Sequence, residues 1–155
     1  MIFTQDMKEL VEFLEKHKVE YIMVGGFAVN YYGYIRMTQD IDILIFPSAE
    51  NARKMMDALD EFGFGKAGIK TEYFEFEGTA IHLGVEPNRI DLLTHLKGVS
   101  NEEIFQRKVR IEYKSIWMNI ISLQDLLTCK KLSDRPKDRA DADELEKTTK
   151  VSGDD

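Results

Sequence analysis

The sequence predicts an α+β (α/β) domain, because strand-like and helix-like patterns alternate along the chain. Residues 19–46 pass from a short apolar run through a glycine pair to helical spacing, and then to an alternating apolar and acidic run. Residues 72–120 contain further strand-like runs that turn residues separate. With 155 residues and a hydrophobic content of 43%, the chain is long enough for one domain with a sizeable core.

The first helix is predicted by an apolar stripe that follows Thr4, a residue type that favours the N-cap. The stripe has the spacing of an amphipathic helix and consists of Met7, Leu10, Val11 and Leu14. This helix should end near His17. Residues 19–24 have the pattern of a short buried strand, which Gly25 and Gly26 end before helical spacing resumes.

Two carboxylates occupy alternate positions of the next strand, which covers residues 40–46. Side chains alternate faces along a strand, so Asp40 and Asp42 should project from one face. Like charges a few Å apart raise each other's pKa unless a cation lies between them. Mg²⁺ prefers oxygen ligands and is typically held by one or two carboxylates together with substrate phosphates. The strand therefore predicts a metal site, although solvent-facing aspartates also occur on edge strands.

A second long helix and a further set of strands should follow. Pro47 and Ser48 should stop the strand and cap the helix. The apolar stripe of this helix consists of Ala52, Met55, Met56 and Leu59. Residues 72–94 are predicted to form strands with turns at 77–78 and 86–88.

A third aspartate, Asp91, lies in the last of these strands between strongly apolar residues. A charged group in such surroundings needs a partner or a metal ion. An ion pair with Arg89 or Arg36 is the alternative to a metal. His82, on the preceding strand, is a candidate for the substrate pocket, with a core or edge histidine as the favoured alternative.

The C-terminal part should contain two more strands and three helices. Ser100 opens a short helix with a capping-box pattern, and strands should cover residues 109–113 and 115–120. Ser122 caps the next helix, on which Lys130 should point outward or along the sheet, and Pro136 should start the last one. Residues 148–155 are small, polar and charged. We expect a single domain over residues 1–147 and a flexible tail over 148–155.

The combination of motifs is more specific than any one of them. Gly25-Gly26 is followed by R-x-T-x-D-x-D over residues 36–42 and, much later, by R-I-D-L-L over residues 89–93. This resembles the nucleotidyltransferase superfamily that includes DNA polymerase β, the CCA-adding enzymes and the antibiotic nucleotidyltransferases. The R-x-T-x-D-I-D variant looks most like small bacterial members related to abortive-infection toxins. The resemblance covers roughly residues 19–145 and implies a mixed β-sheet flanked by helices, with C-terminal helices.

The resemblance also implies roles for eight residues. The catalytic and metal-binding carboxylates would be Asp40, Asp42 and Asp91. They would hold a two-metal Mg²⁺ site, with Mn²⁺ as an alternative, and Asp91 would serve as the base for the acceptor hydroxyl. The nucleotide-binding residues would be Gly25, Gly26, Arg36, Thr38 and Lys130, of which Lys130 would neutralise the departing pyrophosphate.

The activity implied is transfer of an NMP group from a nucleoside triphosphate such as ATP to a hydroxyl. The acceptor would belong to a small molecule, a tRNA end or a protein. The alternative is a non-catalytic interaction protein of the same fold, such as half of a toxin–antitoxin pair. Many family members have Gly-Ser where this chain has Gly25-Gly26, which leaves the substrate open.

Composition narrows the choice of partners and compartment. The net charge of −7, from 21 basic and 28 acidic residues, argues against a long nucleic acid as partner. Cys129 is the single cysteine, so we expect a reducing, cytoplasmic environment. The sequence has no apolar run of the roughly 20 residues that span a bilayer and no signal-peptide pattern, so no membrane association is expected.

Overall fold

The computed structural model describes residues 3–85 and 87–153. The first half contains helix α1 (Gln5–Lys16), strand β1 (Tyr21–Val24), helix α2 (Gly25–Tyr31), strand β2 (Ile41–Ile45) and helix α3 (Ala49–Phe62). Strands β3 (Ala80–Leu83) and β4 (Ile90–Leu93) and helix α4 (Asn101–Gln106) follow. Strands β5 (Val109–Tyr113) and β6 (Ile116–Ile120) and helices α5 (Leu123–Lys131) and α6 (Pro136–Gly153) complete the chain.

The strands within these residues form one mixed sheet in the order β3-β4-β2-β1-β6-β5. Strand β2 lies at the centre, antiparallel to β1 and parallel to β4. Strand β6 is parallel to β1 and antiparallel to β5. The predicted α+β class, a mixed sheet flanked by helices, is confirmed.

The predicted helix caps form as local hydrogen bonds. Thr4 Oγ1 accepts a hydrogen bond from Met7 N–H at 3.2 Å, and Ser48 Oγ accepts one from Asn51 N–H at 3.0 Å. Ser122 Oγ accepts one from Asp125 N–H at 3.1 Å. These helices therefore begin where the sequence predicts, and the fully buried apolar stripe of α1 is the face that the sequence predicts.

One predicted strand is wrong. Residues Thr71–Phe74 form a 3₁₀ turn that packs against α3, and β3 begins only at Ala80. Of the aromatic residues here, Phe74 is 1% exposed whereas Phe76 is 65% exposed. A strand would place Phe74 and Phe76 on the same face. Because one of them is buried and the other is exposed, this segment does not have the single buried face of a strand. The predicted turn at 86–88 includes Glu86, which lies outside the described residues.

The last helix extends past residue 147, where we expect the domain to end. Helix α6 continues through Gly153, and the flexibility of residues 148–155 stays a prediction. Thr148 and Thr149 donate hydrogen bonds to the carbonyls of Glu144 and Leu145, four residues earlier, at 3.0 and 2.8 Å. The residues beyond 153 lie outside the described part. None of the helices in that part has the length and apolarity needed to cross a bilayer.

Candidate active site

Two of the predicted carboxylates are direct neighbours on the sheet. Asp42 on β2 is in register with Asp91 on the parallel strand β4, so both side chains project from the same face. His82 on β3 is in register with Asp91. The site is therefore built on three adjacent strands, with Asp91 between Asp42 and His82.

The glycine pair lets the start of α2 lie against this strand. A β-carbon at Gly25 would lie 2.1 Å from Asp42 Oδ2, and one at Gly26 would lie 2.5 Å from Thr38 Oγ1. Gly25 also has a φ of +63°, which L-residues rarely adopt. The glycines thus hold the backbone of α2 in contact with Asp42 and Thr38.

We expect Gly25→Ala to lower the free energy of unfolding more than Gly68→Ala does. Both positions have a positive φ, +63° and +78°, but a β-carbon at Gly68 would meet nothing within 4 Å. Positive φ alone costs an L-residue roughly 1–2 kcal/mol. Urea denaturation of both variants separates this cost from the collision with Asp42. Equal losses would show that Asp42 moves aside freely.

The charge on Asp42 is disfavoured by its surroundings. Burial raises the pKa of Asp42 to about 6, the negative charge and hydrogen bond of Asp91 add to this increase, and the charge of Lys130 opposes it. A half-buried carboxylate with a raised pKa at a pocket wall is typical of a functional site.

Asp91 has two ionic partners and is 7% exposed. Arg89 donates from Nε to Oδ1 at 2.7 Å and from Nη2 to Oδ2 at 3.1 Å, and His82 Nδ1 lies 2.6 Å from Oδ1. Burial acts to raise the pKa of Asp91, but the hydrogen bonds from Arg89 and His82 outweigh it and lower the pKa. The pairing with Arg89 that the sequence left as an alternative is therefore present.

Asp40 lies just before β2, and its Oδ1 accepts a hydrogen bond from the Arg89 backbone N–H at 2.8 Å. All three predicted carboxylates line one cleft. However, nowhere in residues 3–85 and 87–153 do three His, Cys, Asp or Glu side chains form a group that could hold a metal ion. The metal-binding role of the three aspartates therefore stays a prediction.

Arg36 and Thr38 approach the site from the segment between α2 and β2. Arg36 donates to Asp141 on α6, from Nε to Oδ1 at 2.8 Å and from Nη2 to Oδ2 at 2.9 Å. Thr38 Oγ1 donates to the Asp40 carbonyl at 3.3 Å. Arg36 thus fixes this segment to α6 and does not pair with Asp91.

The sequence predicts that Lys130 points outward or along the sheet, and in the structure it does not point outward. Its side chain is 12% exposed, and Nζ lies 3.0 Å from Asp138 Oδ1 and 3.2 Å from Asp141 Oδ2. The two carboxylates on α6 were not among the predicted site residues. Their spacing of three residues, which places both on one helix face, was the available signal. Lys130 lines the cleft as part of a buried ionic network.

The cleft has a volume of about 490 Å³, within the usual range for small-molecule sites. Its lining includes all eight residues to which the resemblance assigned roles, but not His82. Its basic lining residues are Arg36, Arg89, Lys130, Arg135 and Lys137. Arg135 and Lys137 flank Pro136 at the start of α6, and their distance in sequence from the motifs explains why they were missed. The basic groups suit a polyphosphate ligand.

The donor set fits a single hard cation better than a preformed pair. Asp42 and Asp91 are adjacent oxygen donors, and the raised pKa of Asp42 shows that its charge lacks compensation. Mg²⁺ commonly takes one or two carboxylates and completes its shell with waters and substrate phosphates. The residues present are compatible with that mode of binding.

Comparisons with known proteins agree with the fold. A family model described as "Nucleotidyltransferase of unknown function (DUF6036)" matches residues 1–152. No curated protein sequence matches the chain. The lincosamide antibiotic adenylyltransferase LnuA, in a lincomycin-bound structure, has 17% identity and a TM-score of 0.56, over 92% of this chain and 96% of that chain. The Thermotoga maritima protein TM1012, a proposed nucleotidyltransferase, has 14% identity and a TM-score of 0.55, over 95% and 88%.

Proposed function

The chain belongs to the DUF6036 nucleotidyltransferase family, and we propose that it catalyses metal-dependent transfer of an NMP group from a nucleoside triphosphate to a hydroxyl. The observation that carries this proposal is the position of Asp42. Its carboxylate lies against the Gly25 backbone, beside Asp91, in a cleft lined by five basic side chains.

In this reaction the acceptor oxygen attacks the α-phosphorus, and the bond from phosphorus to the pyrophosphate oxygen breaks. The hydroxyl proton passes to solvent water, and pyrophosphate leaves. Gly25 and Gly26 allow the phosphates to approach the backbone, while Arg36, Thr38 and Lys130 lie where they can bind the triphosphate. Positioning and charge compensation account for most of the catalysis in phosphoryl transfers.

Asp42 and Asp91 would hold Mg²⁺, or Mn²⁺ in its place, with Asp40 lining the same cleft, and the bound ion would neutralise charge on the phosphate oxygens. Asp91 is less suited to the role of base that the resemblance assigned to it. Its pKa is lowered and both of its oxygens accept hydrogen bonds from Arg89. We therefore assign Asp91 to ligand binding and charge compensation.

Among acceptors, a small molecule is favoured over a tRNA end or a protein. LnuA, whose fold is similar, is an antibiotic adenylyltransferase and was solved with lincomycin bound. The net charge of −7 also opposes electrostatic attraction to a long nucleic acid. The same neighbour makes ATP the first nucleotide to test, and the single cysteine is consistent with a reaction in the cytoplasm.

The experiment is incubation with each of four α-labelled nucleoside triphosphates and Mg²⁺, in the presence of a mixture of small hydroxylated metabolites. We expect release of pyrophosphate and transfer of the label to a small molecule, both abolished by chelator. Binding of no triphosphate in the presence of Mg²⁺ or Mn²⁺ would overturn the proposal.

A non-catalytic interaction protein of the same fold is the second candidate. The ion pair of Asp91 with Arg89, together with the missing three-carboxylate group among the described residues, favours it. Binding measurements discriminate between the two, because only the enzyme requires the metal to increase nucleotide affinity.

We expect Lys130→Ala to weaken triphosphate binding about tenfold, a loss of about 1.4 kcal/mol. Contrary to the expectation for an exposed lysine, the variant should also lose about 1.5–3 kcal/mol of stability, the range for hydrogen bonds to charged groups. The matched control is Lys131→Ala, since that side chain is 55% exposed and pairs with Glu146 on the surface. Calorimetry and urea denaturation measure the two effects. Unchanged nucleotide affinity would limit Lys130 to a structural role.

A further inference from the structure

A second cleft is also lined by Asp42. It has a volume of about 400 Å³. We call the cleft of the candidate active site the basic cleft and this second one the apolar cleft. The two share Gly25, Asp42, Lys130, Arg135 and Asp138. A ligand in either cleft can therefore reach the same carboxylate.

The second cleft differs in chemistry from the first. Its apolar lining consists of Val24, Leu93, Leu96, Ile121, Leu126 and Cys129. Lys97 and Asp134 lie at its exposed rim, 3.6 Å apart, with side chains 68% and 98% exposed. An apolar cleft with a few polar groups at its edge is the usual form of a site for an organic molecule.

The Cys129 thiol belongs to this apolar wall and is not a nucleophile. Burial raises the pKa of Cys129 to about 11, and the charge of Asp125 adds to the increase. The protonated thiol behaves as a small hydrophobic group.

The basic cleft contains groups suited to each part of a nucleotide. It contains the basic side chains for the phosphates, and it also contains Met37 and Gln39. Met37 is 83% exposed, so it offers an apolar surface for a nucleobase, while Gln39 offers an amide. The apolar cleft is then left for the other substrate.

We propose that the apolar cleft binds the acceptor, a small molecule with an apolar body that presents a hydroxyl group toward Asp42. This proposal rests on the proposed function and adds the site and chemical class of the second substrate. With the nucleotide in the basic cleft and the acceptor in the apolar cleft, the α-phosphorus lies at the shared wall. In-line displacement requires the attacking oxygen and the leaving pyrophosphate to lie on opposite sides of the α-phosphorus, and two clefts that meet at Asp42 provide separate places for them.

The test uses Cys129→Phe, which adds a ring to the apolar wall. The matched control is Thr128→Phe, which adds the same ring to the same helix at a half-buried position that lines a separate groove. Leu96→Trp fills the cleft from the segment after β4 and serves as a second variant in case Cys129→Phe does not fold. The probes are α,β-methylene ATP with Mg²⁺, inorganic triphosphate, and a panel of phenyl, naphthyl and octyl glucosides, which combine an apolar body with hydroxyl groups.

We expect the ATP analogue to bind wild type and all variants with affinities within about twofold. The glucosides, measured with and without the analogue, should bind wild type and Thr128→Phe but bind the filled variants about tenfold more weakly or worse. Failure of every glucoside to bind wild type, or equal binding to the filled variants, would overturn the inference. So would a loss of ATP-analogue affinity in the filled variants without loss of inorganic triphosphate affinity, because the cleft would then hold the nucleobase. Failure of the analogue to bind wild type would instead contradict the proposed function.

Discussion

Asp141→Asn is expected to lower the free energy of unfolding by about 3–5 kcal/mol, the range for removing one member of a buried ion pair. Asp141 is 1% exposed. It accepts two hydrogen bonds from Arg36 and forms an ion pair with Lys130 at 3.2 Å. The amide removes the charge that both cations face. Lys130 retains Asp138, but Arg36 loses its carboxylate partner.

Urea denaturation measures this loss, and Asp143→Asn is the matched control because it removes an exposed carboxylate two residues further along the same helix. A double variant tests the cause. If an unpaired guanidinium is responsible, Arg36→Met combined with Asp141→Leu should recover part of the stability, since apolar residues of similar size often replace a buried pair without loss. A loss equal to that of Asp143→Asn would mean that the network contributes nothing to folding.

The helices and the central strands were predictable because their signals are local. Thr4 and Ser48 each cap a helix with a side chain that bonds an N–H three residues away, and the apolar stripes repeat within a few turns. Strand β2 was recognised by its alternation. Such patterns need no knowledge of distant residues.

The partner of Arg36 was not predictable, because it is distant in sequence. Arg36 and Asp141 are 105 residues apart, and the chain offers 28 acidic residues as alternatives. Lys130 has the sequence context of a surface helix lysine, and only the packing of α6 against α5 buries it. The resemblance identified eight of the residues that line the cleft, whereas the partners of Arg36 and Lys130 had to come from the fold.

The hairpin between β5 and β6 shows a similar limit. Its turn residues Lys114 and Ser115 both have positive φ, 49° and 67°, as a tight two-residue hairpin turn requires. Neither residue type is a usual signal for that turn. The strand pairing imposes the conformation, and local propensity does not predict it.

Asp42→Asn is expected to abolish NMP transfer, with a loss of about 10²-fold or more, because a charge next to the reacting phosphate disappears. When both proteins are free of metal, Asp42→Asn should be more stable than wild type at neutral pH. If Asp42 were instead a structural partner of Arg36, Asp42→Asn would be less stable than wild type. In the structure Arg36 pairs with Asp141 instead.

The gain in stability should depend on pH. The pKa of Asp42 is raised from 3.8 to about 6 in the folded protein, by burial and by Asp91. Between these two values the native state binds more protons than the unfolded state, so the free energy of unfolding of wild type falls as pH rises. Ionised Asp42 then disfavours folding by on the order of 3 kcal/mol above pH 6. Below pH 3.8 the carboxyl is protonated in both states, and the difference between wild type and Asp42→Asn should vanish.

Thermal or urea unfolding in chelator across this pH range, followed by addition of Mg²⁺, tests both effects. The control Asp57→Asn removes an exposed carboxylate on α3 and should show no comparable pH-dependent gain. Addition of Mg²⁺ should stabilise wild type more than Asp42→Asn, because the charge that disfavours the metal-free fold becomes a ligand. An Asp42→Asn protein that is less stable than wild type at pH 8 in chelator would mean that Asp42 stabilises the fold, and the proposed catalytic role would lose its central residue.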